Sequence, residues 1–415
     1  MIMNIRTWFV FMLVIISSFI APFSFSKAAE PMNCAAYTGN EKVWWDGMEL
    51  KPGQIGRLTV LKKTSLVKFN GSTPGVVRTL NPGEFYRIYA FKPGYLSVGG
   101  GYYVKRDANV KYETPSKTKL AMVACIQQAK QTNASVSLNQ LAIGDPRAKV
   151  EAIYGKAKRK TLNDYGLYWE TYDRGNYKDF LMVSYQNERI AAMYTNQPIV
   201  STKTGIKLGT AKQEVEAKYG TPLQYIQKGN TQYIIQDEEY DMYLIDGNYV
   251  TFFYDKHNGN RLTAVQIVKR ELEESKKGFY GTANEALRTA YEYQIFDLVN
   301  AVRLRNHLPL LTWDGKIAGT ARKHSEDMAQ KGYFSHTNLQ GLSPFDRMER
   351  DGISYRMAAE NIAYGQFNAI FAHEAWMNSL GHRQNVLSPN FQRLGVGVAF
   401  SSSGQPYYTQ NFYTP

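Results

Sequence analysis

Three short stretches hold side chains that could do chemistry together: His336 in "YFSHTNLQGLSPFDRM", Glu360 in "AAENIAYG" and His382 in "AWMNSLGHRQNVLSP". Two imidazoles and one carboxylate suit a divalent metal, zinc above all, with water completing the shell. They also suit a general-base pair that works without metal. A zincin reading of "HEAWM" fails because Met377 stands where the second histidine is needed, and residues 285–415 contain no cysteine nucleophile. A hydrolase built from Ser379, His382 and Glu360 lacks a nucleophile-elbow pattern, and Ser379 reads more simply as a small packing or hydrogen-bonding residue in mid-helix. His373 and His307 read as surface residues, and His324 as a packed core histidine.

The elements that position these residues follow from periodicity. A helix starting near Asn368 puts Ala372, Trp376 and Leu380 on one apolar stripe. Gly381 suits its left-handed close, with His382 and Arg383 at the negative dipole end. Upstream, a helix from Asn284 carries Leu287, Tyr291, Ile295, Leu298 and Val302 on one face and stops before Pro309. Asp314 can cap a second helix with the stripe Ile317, Ala321, His324, Ser325 and Met328, and Ser343-Pro344 with Asp346 starts a third that ends at Gly352. "RLGVGVAFSSSGQPYYTQNF" alternates and turns as a hairpin. This order predicts an α-β-α sandwich over 285–415.

The remaining chain adds export and modularity. The chain is 415 residues long and opens with an apolar run that reads as a signal peptide over 1–28; an uncleaved anchor over Trp8 to Phe25 is the alternative. No later segment is apolar enough to span a bilayer. Cys34 and Cys125 bracket one module, as a disulfide in an export context or as two buried thiols. Of the net charge of +13, residues 30–130 hold 15 Lys and Arg against 7 Asp and Glu. An exported basic module suits anionic envelope polymers better than nucleic acid. That segment is rich in Tyr, Trp and Val with "KPGQ", "NPGE" and "KPGY" turns, which predicts a small β-barrel or sandwich with Trp44, Trp45, Tyr102 and Tyr103 in its core. After the polar linker "QTNASVS", "AIGDPRAKVEAIYG" (142–155) recurs as "KLGTAKQEVEAKYG" (207–220). Each copy is a helix closing at glycine, followed by strands and a hairpin, so 138–270 reads as a duplicated α+β domain.

The ordered blocks over 285–415 closely resemble the bacterial branch of the CAP superfamily of cysteine-rich secretory, antigen 5 and pathogenesis-related proteins. Residues 138–270 look like the CAP-associated domain that precedes some of them, and 30–130 loosely resemble bacterial SH3-like envelope modules. The resemblance implies a CAP fold with a cavity at His336, Glu360 and His382, lined by Ser379, Asn361, Arg383, Tyr408 and Gln410. Where many eukaryotic members place a histidine this chain has Tyr407, and where they place a second acid it has Ser379. Glu374 does not replace that acid, because it points to the opposite helix face from Trp376. The implied function is an extracellular or cell-wall-associated binder of a small lipid, peptide or glycan. A metal-dependent hydrolase with Glu360 as general base and a structural coat component are the alternatives.

Overall fold

The computed structural model describes residues 41–415 apart from 133, together with Cys34 and Tyr37; the expected signal lies outside the described residues. In the N-terminal module a three-stranded and a five-stranded antiparallel sheet close over Leu58, Val60, Leu80, Ile88, Leu96 and Val104. The two sheets share no paired strands among the described residues, so the expected barrel is not closed by hydrogen bonds. The all-β expectation also missed helix α1 (Lys117–Thr132). Its Val123 packs with Val43 and Leu50, and its Cys125 is disulfide-bonded to Cys34. Of the aromatics assigned to this core, Trp44 is exposed, and Trp45, Tyr102 and Tyr103 are half-buried.

In the central domain the two repeats form helices α2 (Arg147–Tyr154) and α3 (Lys212–Tyr219). Each ends on a glycine at positive φ, Gly155 and Gly220, whose N–H bonds back to the carbonyl of Glu151 or Glu216. The strands of both copies merge into one seven-stranded antiparallel sheet, with Arg189–Thr195 of the first copy pairing Arg261–Lys269 of the second. One face of this sheet buries Val150 and Val215 from α2 and α3. Helix α4 (Arg270–Ser275) leads out of the domain.

The C-terminal domain holds α5 (Glu285–Arg305), capped by Asn284, α6 (Gly315–Lys331), capped by Asp314, and α7 (Pro344–Arg350), opened by the Ser343/Asp346 capping box. Its four-stranded sheet runs Thr312–Trp313, Arg393–Phe400, Pro406–Thr414, Met357–Tyr364. On Arg393–Phe400, Leu394, Val396 and Val398 join the core beneath α5, while Gly395 and Gly397 face α6. A Cβ on Gly397 would stand 2.0 Å from the Arg322 nitrogen, so this glycine lets the helix lie directly on the strand. Ser325 locks the contact by donating to the Gly397 carbonyl.

Helix α8 (Ala369–Asn378) starts at Asn368 as expected, but it ends at Asn378 rather than at Gly381. Ser379 is the break, in extended conformation, and Gly381 lies inside a new short helix, α9 (Leu380–Val386). Leu380, assigned to the stripe, is therefore 57% exposed. His373 corrects a second expectation: it is buried, because the central domain covers the other side of α8. The second face of the seven-stranded sheet packs Trp169, Met182, Tyr194 and Phe253 against Leu298 and Ala301 of α5 and Ile370 of α8 in one hydrophobic cluster. An apolar interface of this kind makes the central and C-terminal domains one packed body. Polar contacts reinforce it: Arg159 pairs with Asp297, and Arg305 donates to the carbonyls of Asn196 and Thr263.

Candidate functional site

Glu360 stands on the edge strand Met357–Tyr364 directly opposite Asn411, and strand alternation turns both toward α6 and α7. Its side chain is almost wholly buried. A buried carboxylate requires partners, and every one comes from a different element. Arg347 of α7 donates to Oε2 at 2.7 Å, and the Asn411 amide, oriented with its nitrogen toward the carboxylate, donates to the same oxygen at 3.0 Å. Oε1 takes the Nδ1–H of His336 at 2.9 Å. A carboxylate only accepts, so the neutral His336 carries its proton on Nδ1 and leaves Nε2 as a free acceptor. The His336 side chain is 47% exposed, so this oriented imidazole meets solvent.

Arg347 fixes the geometry twice. Besides Glu360 it donates to the carbonyls of His336 and Leu342, tying the loop that bears His336 to the carboxylate that orients it. His324, buried as expected, bonds the Ser335 carbonyl through Nε2 and lies 3.9 Å from Glu360. Burial, first of all, lowers its pKa. An opening of about 220 Å3 is lined by these two flanking residues with Lys323, Asp327, Asn338 and Arg350. Arg347, His324 and Asn411 are parts of the site that sequence reasoning missed.

His382, on α9, is partly buried, and its pKa is lowered first by burial and then by the nearby His336. Its backbone is anchored from the other side of the sheet. Asn361 donates to the His382 carbonyl and to Gln410 Oε1, and accepts from Asn385. Asn361, Gln410 and Tyr408 are thus scaffold, each fully buried on the face away from Glu360; Tyr408 donates to the Gln366 carbonyl. This corrects their assignment as cavity-lining residues. Arg383 is corrected too: it pairs with Asp255 of the central domain at 2.9 Å. Ser379 contributes the backbone break that re-aims α9. Glu374 faces the central domain, where it accepts from Tyr194, which agrees with its expected position away from Trp376. Tyr407 stacks on the exposed Tyr364, and Phe334 lies against the same ring, forming an aromatic shelf beside the site.

The three residues expected to hold a metal do not make a metal-ready set. Both Glu360 oxygens are committed to His336, Arg347 and Asn411, which leaves at most two imidazole nitrogens. Among the described residues no group of three or more His, Cys, Asp or Glu side chains is placed to hold a metal ion.

Two segments of the chain match known domain families. Residues 296–412 match the model of the cysteine-rich secretory protein (CAP) family, and residues 143–279 match the CAP-associated N-terminal domain. The chain carries a CAP domain behind a CAP-associated N-terminal domain. A crystallised extracellular protein containing an SCP domain from Bacillus anthracis str. Ames is 26% identical, with a TM-score of 0.57 over 66% of this chain and 94% of that one. A cysteine-rich secretory protein from Staphylococcus aureus subsp. aureus Mu50 shares the fold, at 16% identity and a TM-score of 0.55, over 67% of this chain and 93% of that one. The uncharacterized membrane protein YlbC of Bacillus subtilis (strain 168) is 28% identical over 62% of this chain and 78% of its own length. The uncharacterized protein YkwD of the same strain is 45% identical over 30% of this chain and 47% of its own length. No helix among the described residues is long and apolar enough to cross a membrane.

Proposed function

We propose that this CAP-domain protein works outside the bacterial membrane, on or near the cell envelope, and binds a ligand at the open edge formed by His336, Glu360 and His382. The observation that carries the reading is His336 itself. A buried, doubly clamped Glu360 turns its imidazole outward with Nε2 free, next to the half-buried His382 and the Phe334–Tyr364 shelf. A small lipid, peptide or glycan that offers a hydrogen-bond donor and an apolar face fits these groups. The basic N-terminal module, with 15 Lys and Arg against 7 Asp and Glu over 30–130, supplies attachment to anionic envelope polymers.

A hydrolytic reading is also favoured by one feature: an oriented imidazole held by a carboxylate is the geometry of a general base. In that reading the base is His336, and Glu360 is its positioning residue, because both Glu360 oxygens are already occupied. To test both readings, the mature protein and a His336→Ala/His382→Ala variant are incubated with isolated bacterial envelopes. Retained and released material is then identified by mass spectrometry. A component retained by the unsubstituted protein and lost from the folded variant supports binding, and products released only by the unsubstituted protein support hydrolysis. Identical profiles for the two proteins sink the assignment of the site, and failure to sediment at low salt sinks the attachment.

A further inference from the structure

A second concavity lies where the central and CAP domains meet. It is a cleft of about 1220 Å3, bounded by α3 and residues 237–240 on one side and by residues 364–367 and α8 on the other. Its inner wall is aromatic: Phe371 lies edge-on to both Tyr240 and Phe253, with ring centroids 5.2 Å apart in each case. Its charge opposes that of the whole chain. The lining holds Glu216, Asp237, Glu238, Glu239 and Glu374 against only Lys212 and Lys256, although the protein as a whole is +13.

Both lysines are already engaged, Lys212 with Asp241 at 3.2 Å and Lys256 with Glu239 at 3.0 Å. Glu216, Asp237 and Glu238 make no ion pair among the described residues. Deeper in, Glu374 is 6% exposed; its Oε1 accepts from Tyr194, and its carboxyl makes no ion pair among the described residues. Gln366 Oε1, on the same wall, is buried with no partner. Every unfilled polar position named here is therefore an acceptor. A buried acceptor left unpaired costs about 1–3 kcal/mol, so the cleft is complementary to a donor-rich cation with an apolar stem. Aromatic rings beside the acceptors add cation–π attraction.

We propose that this interdomain cleft is a second binding site, distinct from His336, that takes an alkylammonium or alkylguanidinium group, with Glu374 and Gln366 as its inner acceptors and Asp237 and Glu238 as its outer ones. Burial, above all, raises the Glu374 pKa to about 7, against the lowering influence of Tyr194 and Arg305 and reinforced by Asp255 and Glu239. A carboxyl so poised ionises when a cation arrives, which couples ligand entry to loss of its proton.

The free source of such a group is a polyamine, and the polymeric source is a basic peptide. The full mature chain is titrated calorimetrically with spermidine, with trilysine, and with triglutamate as the control of opposite sign. Saturable one-site binding of spermidine or trilysine is expected, and whichever binds identifies the source. The surface double substitution Asp237→Asn/Glu238→Gln, which touches no core contact, weakens it about tenfold, as does Glu374→Gln, while His336→Ala leaves it unchanged. Absence of saturable binding by both cations overturns the proposal. So does equal binding of triglutamate, or affinity unchanged in the surface double variant.

Discussion

Replacing Arg347 by methionine removes the guanidinium that pairs with a carboxylate whose side chain is 1% exposed. The new side chain fills similar volume but leaves Glu360 buried with a single Asn411 amide and His336; it also removes the guanidinium bond to the His336 carbonyl, while the Leu342 carbonyl keeps the Asn338 N–H. Removing one partner of a buried pair costs about 3–5 kcal/mol, because the remaining charge is uncompensated. The CAP and central domains share a hydrophobic cluster. On a body of that size 3 kcal/mol lowers the melting temperature by roughly 5 °C. The double variant Arg347→Met/Glu360→Gln removes the stranded charge as well and recovers at least about 1.5 kcal/mol, so the two substitutions are non-additive. Arg347→Lys recovers little, since one ammonium cannot hold two carbonyls and a carboxylate in that fork. Scanning calorimetry with urea unfolding measures these three variants, the single variant Glu360→Gln and the unsubstituted protein. A loss below about 1 kcal/mol in Arg347→Met, or strict additivity in the double variant, refutes the claim that this arginine holds an ionised Glu360 in place.

Neighbouring groups on α8 give a pH signature. His373 is buried beside Arg305 with a pKa near 3. The unfolded chain therefore binds the extra proton first, and stability falls as pH drops from about 6.5 toward 3. Glu374, held near 7, works with the opposite sign: its contribution is full below about 4.5 and is lost as pH rises through 7. Urea unfolding across pH should show Glu374→Gln gaining stability over the unsubstituted chain at pH 8 but not at pH 4; equal curves at both would contradict the burial of an unpaired carboxyl. Gly397→Ala forces α6 off the strand and should cost about 3 kcal/mol or more, read as a fall in melting temperature. A change under about 0.5 kcal/mol would mean that the contact relaxes freely. Cys125→Ser opens a loop of 91 residues and should destabilise the N-terminal module by on the order of 4 kcal/mol while amide exchange in the CAP domain stays unchanged; altered exchange there would show that the module supports the site.

What the sequence revealed was local chemistry. Asn284, Asp314 and the Ser343/Asp346 box are caps because their side chains reach N–H groups two or three residues on, within reach of spacing arguments. Gly155 and Gly220 were readable as helix ends for the same reason, and the repeat they close was visible as a repeat. What stayed hidden depends on distant contacts. Nothing near Arg347 in the chain points to a carboxylate 13 residues away on another element. His373 looked exposed because the surface that buries it belongs to the central domain. Gly395 and Gly397 fitted a strand pattern, yet their real purpose, letting α6 approach, appears only when the helix is in place. The error at Gly381 came from treating glycine as a terminator, whereas Ser379 makes the break and the glycine continues into α9. His336, Glu360 and His382 were found because their types are rare and chemical; the buried status of Asn361, Tyr408 and Gln410 was not, because strand alternation had to be anchored on Glu360 before the faces could be told apart.

Everything proposed for the CAP domain rests on His336 presenting Nε2 to solvent while Nδ1–H is held by Glu360. Long-range nitrogen–proton NMR on histidine-labelled protein at mildly alkaline pH reads the tautomer of each imidazole directly. The Nδ1–H form at His336, changing when Glu360→Gln is introduced, is the predicted result. An Nε2–H form at His336, or a tautomer mixture indifferent to that substitution, would contradict it.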